Sequence, residues 1–200
     1  MPITDEQISA AFGDTADFIR RKLRCGKHTL YAYAIDGLIA SGAASDYVIK
    51  PITQNLSAES MKRLYQQAFE GSIYNCVAVE AKELKQVLNL IVNGFCVILF
   101  PEVGAIGFEV KTPDKRGPSA PEVENTVKGA KDAFVETVRA NTSYIRRHLR
   151  SPDLRICETQ VGKRSLTIVS VIWLEGITDP KLVEKMRQRI AQIDIDGLIS

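Results

Sequence analysis

The densest run of side chains able to do chemistry is RANTSYIRRHLR, Arg139 to Arg150, where four arginines and a histidine fall within twelve residues. Guanidinium forks match carboxylate and phosphate geometry. Two readings of Arg139, Arg146, Arg147, His148 and Arg150 stand open. Cations near a helix C-terminus oppose its dipole, each by about 0.3–1 kcal/mol. Alternatively they form a docking surface for acidic residues, phosphate or anionic lipid heads. Asn141 lies in the otherwise apolar seam of the same segment, where a buried amide needs partners, so it is expected to hydrogen-bond to another element. Two acid–glycine steps, Asp36-Gly37 and Glu175-Gly176, fall at strand ends. They either face a cleft between lobes or serve as ordinary turn residues.

Other chemistry is missing from the pattern. The chain has no GxxxxGK[ST], no GxGxxG, no HExxH and no serine-centred nucleophile elbow. Of its two histidines, His28 flanks a hairpin turn and His148 sits in a charged helix end, which are expected surface positions. The four cysteines, Cys25, Cys76, Cys96 and Cys157, lack metal-ligand spacing and are expected to be reduced thiols in a cytosolic protein. No catalytic residue, cofactor or metal is therefore assigned, and the chain is not expected to be an enzyme.

Charge narrows the partners. Lys and Arg total 26 against 24 Asp and Glu, a net +2, which argues against a nucleic-acid binder. The N-terminus, MPITDEQISAAFGD, lacks the basic and apolar regions of a signal peptide. No run reaches the roughly 18 apolar residues of a membrane helix, so the segment is expected to be soluble.

The elements that position these residues follow from periodicity. A short helix ends near Gly13, and DFIRRKLRCGKHTLYAYAIDGL has the form of a hairpin turning at Gly26-Lys27. A helix over about 44–55 contains Pro51, which must start, kink or end part of it. Ser57 is the expected N-cap of the next helix, whose stripe is Met61, Leu64, Tyr65, Ala68 and Phe69. IYNCVAV has the character of a buried strand. Leu84, Val87, Leu88, Ile91 and Val92 form another helical stripe, ended by Asn93-Gly94. FCVILF and AIGFEVK are strands joined across Pro101 to Gly104. KTPDKRGPSAPEVEN has the composition of a linker. Beyond it, Phe134, Val138, Asn141, Ile145 and Leu149 predict a helix over 122–150, stopped by Ser151-Pro152. A hairpin turning at Gly162-Lys163 follows, then a helix capped by Asp179-Pro180 with the face Leu182, Val183, Met186, Ile190 and Ile193.

The class is therefore α/β in the mixed α+β sense: two small lobes, 1–115 and 116–200, joined by the proline-rich linker. IRRKLR at Ile19 and IRRHLR at Ile145 fall on a strand and a helix respectively, so their likeness is coincidental. A different repeat is structural in character. Asp17 and Asp153 each precede a Gly-Lys by nine residues, and each Gly-Lys leads to an acid–glycine step and then a helix. The second copy is three residues longer, expected within its strand. Each lobe thus carries one hairpin-plus-helix unit.

The second lobe also resembles a known family. Arg116, Pro121, Glu124, Lys128-Gly129, Phe134, Glu136, Asn141, Ile145-Arg146-Arg147, Leu154, Gly162-Lys163-Arg164-Ser165, the Glu-Gly step and the closing IDIDG look like the N-terminal region of GerA-type spore germinant receptor A subunits. The first lobe matches more loosely, through YAIDGLI and VIKPI, and has PEVG where the family usually has an Asp-Gly turn. The resemblance implies a two-lobed region on the cytosolic side of the spore inner membrane, followed past residue 200 by transmembrane helices. It implies assembly with B and C subunits and with further A subunits, a response to small-molecule nutrients, and cation release. Glu136, Arg139, Asn141, Arg146 and Arg147 are the expected interaction surface of such a scaffold, and Asp36 and Glu175 the candidate inter-lobe cleft if the region instead binds a small molecule. A paralogous stage V sporulation membrane protein shares the pattern, and a free-standing two-lobed small-molecule-binding domain is the remaining alternative.

Overall fold

The computed structural model describes residues 2–71, 77–112 and 134–198. Its centre is an antiparallel sheet of five strands, ordered β1-β2-β4-β5-β3. The strands are β1 Phe18–Cys25, β2 His28–Ile35, β3 Ala78–Ala81, β4 Phe95–Phe100 and β5 Gly104–Glu109. Period-two alternation splits FCVILF between two cores, so a continuous apolar run fits a strand covered on both faces. Cys96, Ile98 and Phe100 join Leu30, Val48, Ile52 and Leu64 on one side. Phe95, Val97 and Leu99 join Ile8, Phe12, Val87 and Ile91 on the other.

Helices α1 (Asp5–Phe12) and α4 (Leu84–Val92) supply the second of these faces. The first is covered by α3 (Met61–Phe69) and a helical stretch over 41–55, made of α2 (Ser41–Ala44) and two π-helical turns. The wider turns are Ser45–Ile49 and Pro51–Asn55, the second beginning at Pro51, whose ring removes one backbone donor. At α4 Asn93-Gly94 ends the helix, as expected, while the N-cap is Glu83, whose amide donates to Gln86 Oε1 at 3.1 Å. At α3 the cap is Ser60, whose hydroxyl accepts from the Arg63 amide, and not Ser57. Strand β3 begins at Ala78 and is an exposed edge, where a buried strand was expected from Ile73; residues 72–76, with Cys76, lie outside the described residues.

The rest of the described chain is α5 (Val138–His148), a two-stranded hairpin of β6 (Leu154–Val161) and β7 (Thr167–Leu174), and α6 (Pro180–Ala191). The expected boundary at 115/116 and the linker from residue 113 onward lie outside the described residues, as does the expected helix over 122–133. Across 134–137 the expectation of helix is corrected. Thr137 is the N-cap, with extended backbone, and Phe134 stands outside the helix. Asn141 gives the reason. Its Nδ2 donates to the Val135 carbonyl at 2.6 Å, and its Oδ1 accepts from the Val135 amide at 2.8 Å. Both backbone groups of Val135 are thus satisfied by one side chain in a non-helical conformation.

The internal repeat holds at the level of single bonds. The Asp36 amide donates to the Asp17 carbonyl at 2.8 Å, and the Glu175 amide to the Asp153 carbonyl at 2.9 Å. Phe18 N–H donates to Thr15 O, and Leu154 N–H to Ser151 O; Leu38 N–H donates to Ile35 O, and Ile177 N–H to Leu174 O. Gly37 and Gly176 share a left-handed backbone, at φ 86° and 79°. The three extra residues of the second copy lie in its turn, not its strands. Cys25 pairs with His28 across a two-residue turn, whereas Val161 pairs with Thr167 across five residues.

Candidate functional site

A hydroxyl-x-aspartate triplet opens each repeat: Thr15-Ala16-Asp17 and Ser151-Pro152-Asp153. The Thr15 hydroxyl donates to Asp17 Oδ1 at 3.0 Å, and the Ser151 hydroxyl to Asp153 Oδ2 at 3.2 Å. Each hydroxyl thereby fixes a carboxylate at the root of its hairpin. Local sequence is enough for this, because serine and threonine satisfy neighbours two residues on.

One side chain unites the two triplets. Arg146 on α5 is completely shielded from solvent and Asp17 is 1% exposed. Nε of Arg146 donates to Asp17 Oδ2 at 2.7 Å and Nη2 to Asp17 Oδ1 at 2.8 Å, a bidentate fork. Nη2 also reaches Thr15 Oγ1 at 3.3 Å, while Nη1 donates to the Ser151 carbonyl at 3.0 Å. Thr15 Oγ1 accepts from the Ile156 amide at 2.9 Å, and the Ala16 amide donates to Ile156 O at 2.8 Å. The segment before β1 therefore runs against β6 and ties the hairpins together at the buried ion pair.

Other arginines repeat the theme. Arg139 bridges Asp36 (2.9 Å) and Glu158 (3.2 Å). Arg155 donates to the Ala11 carbonyl at 3.2 Å and approaches Glu175 at 3.9 Å. Arg150 donates to Asn93 Oδ1 at 2.9 Å. Helix α5 lies so close to the first acid–glycine turn that a Cβ on Gly37 would fall 2.9 Å from Ser143 Cβ. Four arginines from residues 139–155 thus reach back to residues 11–93.

This arrangement corrects the expected interaction surface. Arg146 is buried and Arg139 is held by two carboxylates, because the i, i+7 spacing of these residues puts both on the face of α5 that meets the first lobe. Asn141 is turned inward to Val135. Glu136 is exposed, ahead of the helix. Arg147 is half-buried and lines a cleft of about 400 Å³ with Leu38, Asn93, Gly94, Lys111, Thr112 and Arg150. Asp36 and Glu175 are engaged by different arginines, Arg139 and Arg155, and Glu175 also accepts from Trp173 Nε1 at 3.2 Å. Spacing alone singled out Asp17. Thr15, Ser151 and Arg155 went unnoticed, although a hydroxyl two residues before each repeat aspartate was there to be seen.

Elsewhere, Asp5 accepts from Tyr33 Oη at 2.7 Å and from Arg20, and the Arg20 hydrogen bond holds its carboxyl below the ordinary range. Burial drives the Tyr33 hydroxyl well above its usual range and pushes Cys96 up to about 12, so neither ionises near neutrality. His28 is half-buried and bonded to the Ala58 carbonyl, not a free surface ring. Among the described residues, no group of three or more His, Cys, Asp or Glu could hold a metal. Among them, too, no helix is long and apolar enough to cross a membrane.

The model of the Bacillus/Clostridium GerA spore germination protein family matches residues 6–200. The chain belongs to that family. It is similar to stage V sporulation protein AF of Bacillus subtilis (strain 168), at 31% identity over 93% of this chain and 38% of that protein. Spore germination protein KA of the same organism is 24% identical over 94% of this chain and 35% of its own length. The chain thus spans little more than a third of these curated relatives. In three dimensions it matches the N-terminal domain of the A subunit of the Bacillus megaterium spore germinant receptor GerK3, with a TM-score of 0.70 and 19% identity. That match covers 94% of this chain and 70% of that domain. The family and the mixed α+β fold are those that the sequence pattern implies.

Proposed function

We propose that this chain is the N-terminal, cytosolic-side part of a germinant receptor A subunit, a scaffold that assembles with B and C subunits and further A subunits at the spore inner membrane. In this reading it acts through assembly and not catalysis, and contributes to nutrient-triggered signalling and cation release. The observation that carries it is the match of nearly the whole chain to the family, together with the fold shared with a receptor A subunit's N-terminal domain. The buried Arg146–Asp17 fork supports a scaffold in particular. A joint whose opening would strand a buried charge is held as one body.

The test is deletion of the full coding sequence in its spore-forming host. Spores lacking it lose or slow their response to a defined nutrient, followed by the fall in optical density and by cation release. Spores that germinate at the parental rate on every nutrient tried would remove the proposal. The 31% identity to stage V sporulation protein AF favours one second reading, a component working alongside several receptors. Slowed germination on all nutrients, and not on one chemical class, would select it.

A further inference from the structure

The two repeats differ along the outer edge of their first strands. Antiparallel bonding alternates, so every second residue of an edge strand turns its backbone N–H and C=O away from its neighbour. In β6 the Glu175 amide bonds the Asp153 carbonyl, which sets Arg155 and Cys157 toward β7 and Ile156 outward. That outward position is filled. The Ala16 amide donates to the Ile156 carbonyl at 2.8 Å, and the Ile156 amide donates to Thr15 Oγ1 at 2.9 Å. In β1 the Asp36 amide bonds the Asp17 carbonyl in the same way, so Arg20, Lys22 and Arg24 turn their backbone groups outward. Among the described residues no strand lies beyond them, because β1 ends the sheet. The side chains of this open edge share one sign. Arg20, Arg21, Lys22, Arg24 and Lys27 are all exposed, and Asp5 engages Arg20. Among the described residues no carboxylate forms an ion pair with Arg21, Lys22, Arg24 or Lys27.

We propose that the outer edge of β1 docks an extended acidic segment of a partner protein, which adds to the sheet as an antiparallel sixth strand. Charges on an edge guard it against pairing, but a guard of one sign is selective. It repels a second copy of β1, since like charges directly opposite are destabilising, and it attracts a strand of the other sign. Lys22 and Arg24 share one face of the strand, two residues apart. The incoming segment therefore carries carboxylates at i and i+2, directly across from them, with a small or β-branched residue between, across from Leu23. Backbone bonds to Arg20, Lys22 and Arg24 supply affinity, and the alternating charge supplies selectivity. A lipid surface fits less well, because none of the exposed large apolar side chains lies on β1 or β2 to enter the bilayer. The site belongs to the first lobe alone and does not depend on the germination reading.

The probe is a fluorescent peptide of alternating glutamate and threonine, about ten residues long so as to span β1, titrated into the 200-residue chain at low salt. A second peptide has the same sequence with its glutamate amides N-methylated, which keeps the charge and removes the donors that face β1. The first peptide is expected to bind, and N-methylation and the double change Lys22→Glu with Arg24→Glu each to weaken it by about tenfold or more. Followed by NMR, exchange of the Arg20, Lys22 and Arg24 amides slows by about tenfold on binding, while Arg21 and Leu23, already bonded to β2, stay unchanged. Equal binding of both peptides would overturn the proposal and leave charge attraction alone. Failure of the first peptide to bind would overturn it too. Binding of phosphatidylglycerol vesicles in its place would then assign the edge to a lipid surface.

Discussion

The β1–β2 and β6–β7 hairpins are built to one plan and live in different surroundings. Both start from a hydroxyl-x-aspartate triplet, both strands of each are eight residues long, and both end on an acid–glycine turn closed by the same backbone bonds. Yet β2 is buried along most of its length between two helical layers, while β7 is half-exposed throughout. Local sequence thus dictates the frame of the unit, and neighbours dictate how much of it leaves water. Equivalent residues of the two repeats should therefore respond differently to the same change wherever a neighbour intervenes, and alike wherever none does.

The largest contrast lies where the repeats meet. Arg146→Met leaves the Asp17 carboxylate buried without its partner, and is expected to cost about 3–5 kcal/mol in urea unfolding. Arg147→Met, one residue on and half-buried, should cost under about 1 kcal/mol. Equal losses would mean that the buried fork is no stronger than a surface contact. Next are the paired glycines. Gly37→Ala and Gly176→Ala both force a side chain into the left-handed region, a cost of about 1–2 kcal/mol. Only Gly37 also meets the Ser143 Cβ at 2.9 Å, whereas Gly176 faces open space, so the Gly37 variant should be the less stable of the two by thermal unfolding.

The two hydroxyls differ more modestly. Thr15→Val strips a buried hub of hydrogen bonds and should lose about 1–3 kcal/mol, against about 0.5–1.5 kcal/mol for Ser151→Ala, whose bonds lie near solvent. The smallest effect is one of pH, within the first lobe alone. Arg20 holds the folded Asp5 pKa below its unfolded value, so its stabilisation is complete above the unfolded value and is lost as pH falls through the folded one. Denaturant midpoints of the parent should drop below about pH 4, and Asp5→Asn should flatten that drop.

Much of this architecture is legible in the chain. Both hairpins, the end of α4 at Asn93-Gly94, the α6 N-cap and the Asp17/Asp153 spacing follow from turn chemistry and period. What escapes the sequence is which cation points inward. Arg146 and Arg147 are chemically identical neighbours, separated by one 100° step around a helix whose start was itself misjudged. The 134–137 segment carries a helical period, but the Asn141 amide overrides it from four residues away or more. The second turn is longer than expected because Gly-Lys marks only where a turn begins, and Leu166, with φ 47°, completes it.

The buried fork joins residues 129 positions apart in the chain. A ribosome adding about 5–20 residues per second synthesises Asp17 roughly ten seconds before Arg146. By the end of that interval the residues of all five strands of the first lobe have been added, while Asp17, 1% exposed in the finished fold, has among its described side-chain partners only Thr15. A nascent chain halted before α5 would thus carry an unneutralised aspartate at the very spot where the second lobe must land, an open socket that waits for one arginine.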